Sequence, residues 1–143
     1  MEHMAALTVE GQIPASVDDV WKLVSDFGGF LSAQGLPVEV EGEGVGAIRI
    51  VSTQGVRVVE RLEAQDDEAC TLTYHIVEGP MPFSDYFGTI ALSPAGESAT
   101  TLSWSARYQP NDDTDGAARL IEWVYQGGIK ALQRHFGGDR SAP

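Results

Sequence analysis

The sequence predicts an α+β domain: a strongly curved, seven-stranded antiparallel sheet gripping one long C-terminal helix, with two short helices after the first strand. Three observations predict it. Short runs of alternating or apolar character, each bounded by turn residues, succeed one another from Leu7 to Gln109. Asp115 to Phe136 then runs without proline and carries an apolar stripe at helical spacing. Between them, Ala47–Glu78 reads as three strands joined by tight turns, with charge on a face that is otherwise apolar.

The elements follow in order. Leu7–Ile13 alternates and is ended by Pro14. Ser16 reads as an N-cap, with Asp18 and Asp19 in the first turn, where the helix dipole favours carboxylates. Val17, Val20, Trp21 and Val24 recur at helical spacing, so Val17–Ser25 is a short amphipathic helix. Phe27–Leu31 forms a second. Pro37–Glu43 is a strand, turned by Gly42, Gly44 and Gly46.

A two-residue turn at Gln54–Gly55 sets the register of the next hairpin. Counting outward, Thr53 faces Val56, Val51 faces Val58, Arg49 faces Glu60 and Ala47 faces Leu62, all on one face. The other face holds Ile48, Ile50, Ser52, Arg57, Val59, Arg61 and Glu63, which suits partial exposure. Asp66, Asp67 and Glu68 read as a solvated turn. Leu72, Tyr74 and Ile76 share the inner face of the next strand, and His75 faces out.

Glu78–Pro82 breaks the sheet, and Pro80–Phe83 reads as a lip. Ser84–Leu92 is the sixth strand, with Tyr86, Gly88, Ile90 and Leu92 on one face and Asp85 on the other. Thr100–Gln109 is the seventh, with Leu102, Trp104, Ala106 and Tyr108 together. In the long helix, Leu120, Val124, Gly127 or Gly128, Ala131 and Leu132 form the expected stripe. Trp123 or Tyr125 reaches the sheet. Glycines at mid-helix cost roughly 1 kcal/mol each against alanine, so Gly127–Gly128 implies either a close approach of sheet or ligand, or a break. Gly137–Gly138 stops the helix.

The 143 residues suit one domain, ordered from about Leu7 to Phe136. A formal net charge of -12 argues against nucleic acid and against an anionic membrane surface. Cys70 has no partner for an internal disulfide, which fits a reducing compartment. No run approaches the roughly 18 apolar residues of a membrane span. Met1–Met4 reads partly as a cloning remnant, and the N-terminus lacks a signal-peptide pattern. The expectation is a cytoplasmic monomer or homodimer. The histidines and Cys70 lack metal-ligand spacing, and there is no dinucleotide or phosphate-loop motif, so neither metal nor cofactor is expected.

Three segments carry a resemblance. IPASVDDVWKLVSDF (Ile13–Phe27), GEGVGAIRIV (Gly42–Val51) and VVERLEAQDDEACTLTYHIVEGPMPFSDY (Val58–Tyr86) resemble the START-like, helix-grip superfamily. This includes the polyketide cyclase/dehydrase and lipid-transport family, the birch-pollen allergens and the abscisic-acid receptors. The resemblance implies a helix-grip fold and a small hydrophobic or aromatic ligand. It does not name the chemistry. In the receptors, the Glu of a Glu-Arg-Leu motif lies in the pocket; here that residue is Glu60. Their pocket Tyr corresponds to Tyr86, and the position two residues on is Gly88, which lacks the receptors' serine hydroxyl. Their gate loop falls at Ser52–Gly55, which reads Ser-Thr-Gln-Gly, and their pocket lysine has no counterpart. Hormone reception is therefore not expected.

Register and resemblance converge on Glu60, with Arg49 as its partner. The pair orients a polar group of a ligand, supplies a general base through Glu60, or is a structural ion pair at a cavity mouth. The expected ligand-binding set is Arg49, Val58, Glu60, Leu62, Leu72, Tyr74, Ile76, Tyr86, Gly88, Ile90, Trp104, Tyr108, Val124 and Gly128, around a cavity between sheet and helix. The leading expectation is a carrier or binder of a lipid, isoprenoid or aromatic polyketide. The alternative is a cyclase/dehydrase using Glu60 as base and Tyr86 or Tyr74 as acid. A filled interior would instead favour a protein acting through its outer surface.

Overall fold

A computed structural model describes residues 4–53 and 55–137. The elements are β1 (Ala5–Ile13), α1 (Val17–Val24), α2 (Gly29–Ser32), β2 (Val38–Glu41), β3 (Ile48–Thr53), β4 (Val56–Asp66), β5 (Thr71–Glu78), β6 (Phe83–Pro94), β7 (Thr100–Pro110) and α3 (Thr114–Gly137). All seven strands form one antiparallel sheet in the order β1-β7-β6-β5-β4-β3-β2. The helix-grip architecture expected from the sequence is the one observed. Met1–His3, Gln54 and Gly138–Pro143, and with them most of the Met1–Met4 segment, half of the hairpin turn and the second glycine of the helix stop, lie outside the described residues.

Local chemistry starts each element where expected. The Ser16 hydroxyl caps α1 by accepting from the Asp19 amide at 3.2 Å. The indole N–H of Trp21 donates to Asp67 at 3.1 Å, which ties α1 to the β4–β5 turn. That turn is therefore partly structural, not merely solvated. The Asp66 carboxylate accepts from the amides of Glu68 and Ala69 and shapes it.

The hairpin register is as counted: Arg49 pairs with Glu60, Val51 with Val58, and Thr53 with Val56. Val59 departs from its expected outer-face exposure and is buried, beside a register shift against β5.

The helix stripe is displaced. α3 packs chiefly on β1 and β7 and buries Ala117, Ile121, Tyr125, Gly128, Ile129 and Leu132. Val124 is 46% exposed and Trp123 71%, whereas Tyr125 is 1% exposed. Val124 thus does not line an interior. Both phases of α3 have apolar residues at helical spacing, and the phase with Ile121, Tyr125 and Ile129 buries more surface. α3 runs through Gly127–Gly128 without a break.

Candidate functional site

The Arg49–Glu60 pair lies on the inner face of the sheet. Arg49 Nε donates to Glu60 Oε1 at 2.6 Å, and the side chains are 3% and 12% exposed. A second guanidinium nitrogen donates to the Phe27 carbonyl at 3.0 Å. The guanidinium plane lies 4.0 Å from the Phe27 ring centroid and 4.9 Å from that of Tyr74. Every favourable mode open to a buried arginine (ion pair, hydrogen bond and aromatic stacking) is therefore in use.

Beside the pair runs a chain of hydroxyls. Trp104 Nε1 donates to the Tyr74 hydroxyl at 3.1 Å. Tyr74 and Tyr86 hydroxyls are 3.0 Å apart, and Tyr86 in turn contacts the Tyr125 hydroxyl. Tyr125 reaches the Ser105 carbonyl at 3.4 Å. An indole N–H only donates and a carbonyl only accepts, so one polarity satisfies the chain. It runs from Trp104 through Tyr74, Tyr86 and Tyr125 to Ser105. Burial pushes the ionisation of all three tyrosines up, assisted at Tyr74 by the nearby Glu60 charge and at Tyr86 by its tyrosine neighbours. These hydroxyls stay neutral.

Two glycines make the chain possible by close approach. A Cβ at Gly88 would lie 2.5 Å from Tyr74 Cζ, so the Tyr74 ring lies on bare backbone. A Cβ at Gly128 would lie 2.6 Å from Trp104 Cζ3, so α3 closes directly onto the indole. Trp104 stacks on Tyr125 at 4.3 Å and contacts Phe30 at 5.7 Å. The space expected between sheet and helix is consequently occupied by side chains. Leu62, Leu72, Ile90 and Tyr108 are buried in this core, and Tyr108 packs edge-on against Phe83, apart from the hydroxyl chain.

Open space lies instead where the sheet forks. β5 and β6 pair from Thr71–Ala91 to His75–Phe87. Beyond that point β5 stays with β4, through Ile76 and Glu78, while β6 stays with β7, through Phe83 and Ser84. A half-open gap of about 280 Å3 results, bordered by Ile76, Met81, Phe83 and Tyr86. A bulge at Asp85, whose φ is 50°, turns both Phe83 and Tyr86 inward. Asp85 therefore does not sit in a regular strand. His75 Nδ1 meets the Tyr86 carbonyl at 3.0 Å at the apex of the fork. Val58 lies under Gly79 at the edge of the gap. A second depression, about 510 Å3, lies on the outer face between Glu39, Ile50 and Arg57 and touches none of the inner polar residues.

The structure thus brings together Arg49, Glu60, Tyr74, Tyr86, Trp104, Gly88 and Gly128, with Ile76 and Val58 at the opening. It removes Val124 and adds Tyr125, which the choice between Trp123 and Tyr125 had left open. Among the described residues, no group of His, Cys, Asp or Glu is arranged to hold a metal ion. No described helix is long and apolar enough to cross a membrane.

The chain is similar to XoxI from Bacillus cereus, at 27% identity over 94% of this chain and 96% of that one, with a TM-score of 0.85. An uncharacterised protein from Bacillus thuringiensis is 28% identical over 92% and 98%, with a TM-score of 0.83. Norcoclaurine synthase from Thalictrum flavum, in complex with dopamine and hydroxybenzaldehyde, shares the fold at 19% identity over 97% and 90%, with a TM-score of 0.75. No curated protein sequence matches the chain. Residues 4–137 match the family described as polyketide cyclase / dehydrase and lipid transport, and the chain belongs to that family.

Proposed function

We propose that this domain binds a small hydrophobic ligand through the fork between β5 and β6, with Tyr86 as the floor. The observation that carries this reading is the fork itself. Two strands of a continuous sheet part beside buried aromatic rings and leave about 280 Å3 of open space. Ligand sites commonly measure about 300–1,000 Å3 and combine apolar walls with few polar groups. The gap lies just below that range and is bordered by His75, Glu78, Ser84 and Asp85 as well as by apolar residues, which favours a one- or two-ring molecule with a polar edge over a long acyl chain. Family membership supports the reading, because this fold binds hydrophobic ligands. The filled interior speaks against a large cavity between sheet and helix, and the fork is the open space that borders the buried aromatic residues.

Binding is favoured over turnover. Glu60 Oε1 accepts a charge-assisted bond from Arg49, and Glu60 is not among the residues that border the gap. Tyr86, the proposed acid, is pushed up by burial and releases a proton poorly.

The test uses 1-naphthylamine, a neutral two-ring fluorescent probe. Saturable binding to the wild type is expected, and Ile76→Trp, which fills the gap, should weaken it about tenfold or more with the fold intact by circular dichroism. Undiminished binding in a folded Ile76→Trp variant would remove the fork as the site. Native mass spectrometry of freshly purified protein gives an independent reading through any co-purifying small molecule.

A further inference from the structure

We infer that the fork is a charge filter: it admits an uncharged small aromatic molecule bearing oxygen and rejects carboxylates and phosphates. This rests on the ligand-binding reading above and adds the ligand's chemical class.

An anion entering a low-dielectric site needs a free cation or several free donors. Among the residues bordering the gap there is no lysine or arginine. The buried arginine beside it, Arg49, is neutralised by Glu60, donates to Phe27, and has its guanidinium against the Phe27 and Tyr74 rings. Arg57, on the neighbouring strand, is paired with Glu78 at 3.1 Å. The gap's own ionisable groups are Glu78, Asp85 and His75, and the His75 Nδ1 is engaged at the Tyr86 carbonyl. Glu78 and Arg57 offset one another, so Asp85 is left at the opening with no salt bridge among the described residues and no uncommitted lysine or arginine beside it.

The donors of the hydroxyl chain are spent as well, which leaves the exposed Ser84 hydroxyl as an uncharged donor at the rim. The single polarity of the hydroxyl chain uses the Tyr74 proton on Tyr86, the Tyr86 proton on Tyr125 and the Tyr125 proton on Ser105. Of these hydroxyls only that of Tyr86 belongs to a residue bordering the gap. A phenol suits this chain: it accepts a proton from one hydroxyl and donates its own to a lone pair, so the count of donors and acceptors is kept. A carboxylate accepts only, and it brings a charge that nothing here offsets. Phe83 and Tyr86, stacked with centroids 5.3 Å apart, present ring surface for an aromatic frame.

Isothermal titration with 2-naphthol and 2-naphthoate at pH 7.5 tests the filter, since the two differ chiefly in charge. 2-Naphthol should bind at least about tenfold more tightly. Equal or tighter binding of naphthoate overturns the filter while leaving the ligand-binding reading standing. Saturable binding of neither probe overturns both. Two variants read the cause. Glu60→Gln keeps an acceptor for Arg49 but removes its neutralising charge, so naphthoate affinity should rise severalfold. Asp85→Asn should also raise it relative to 2-naphthol, with a gain that shrinks at high salt. If neither variant improves naphthoate binding, the electrostatic origin is wrong.

Discussion

Removing the Arg49 side chain would strand the Glu60 carboxylate at 12% exposure beside three buried tyrosine hydroxyls. Breaking a buried pair from one side costs about 3–5 kcal/mol, because the remaining charge is left uncompensated. Arg49→Ala should therefore lower the urea midpoint markedly, and the lost contact with the Phe27 and Tyr74 rings adds to the effect. Glu60→Gln should cost less, since an amide oxygen still accepts from Nε. Equal losses for the two variants would mean that the lost charge, not the lost packing, dominates at this position. The pair itself was legible in the sequence, because register follows from a two-residue turn by counting and the alternation of side chains is strict. What the pair does was not legible. Its third partner, the Phe27 carbonyl, comes from the α1–α2 segment, which no counting along β3 and β4 can bring into view.

At the scale of the element, α3 separates two adjacent glycines that the sequence left equivalent. Gly128 faces Trp104, and an added Cβ would meet the ring edge at 2.6 Å. Gly127 faces open space, with nothing within 4 Å. Gly128→Ala should thus destabilise by about 1–3 kcal/mol through overpacking. Gly127→Ala should stabilise by about 1 kcal/mol through helix propensity alone. Opposite shifts of the urea midpoint at neighbouring positions are the signature; the same sign at both would show that α3 does not close onto Trp104. Helical spacing indicated the existence of α3 but not its phase, because Val124 and Tyr125 each continue an apolar series. Tyrosine carries an apolar ring with a polar tip. Which series goes inward depends on a hydroxyl partner on β7, the Ser105 carbonyl, and on the flat space left by Gly128. The fork was hidden for a related reason. The proline-rich break after Glu78 marks an interruption of the chain, whereas the parting of β5 from β6 is a property of pairing between three pairs of strands.

For the whole molecule, the dry hydroxyl chain implies a specific alkaline limit. The chain contains four tyrosines, Tyr74, Tyr86, Tyr108 and Tyr125. Burial raises the ionisation of every one of them, and at Tyr108 the neighbouring Glu122 carboxylate adds to it. In the unfolded chain a tyrosine releases its proton near pH 10. Above that pH the unfolded state binds fewer protons than the folded one, so stability falls as pH rises; below it the tyrosines make no pH-dependent contribution. Each tyrosine still protonated in the folded state can add about 1.4 kcal/mol of loss per pH unit. Phenolate absorbance at 295 nm should consequently appear together with the loss of near-ultraviolet circular dichroism, as one transition, and not as a separate titration of the native protein. Tyr86→Phe removes one such proton, so once its own stability change is subtracted its unfolding free energy should decline less steeply with pH than the wild type's. A phenolate signal growing near pH 10 while the folded spectrum persists, and retained in Tyr108→Phe, would mean that water reaches the hydroxyl chain. The fork would then be a wet channel into the interior, and the basis for rejecting anions there would be lost.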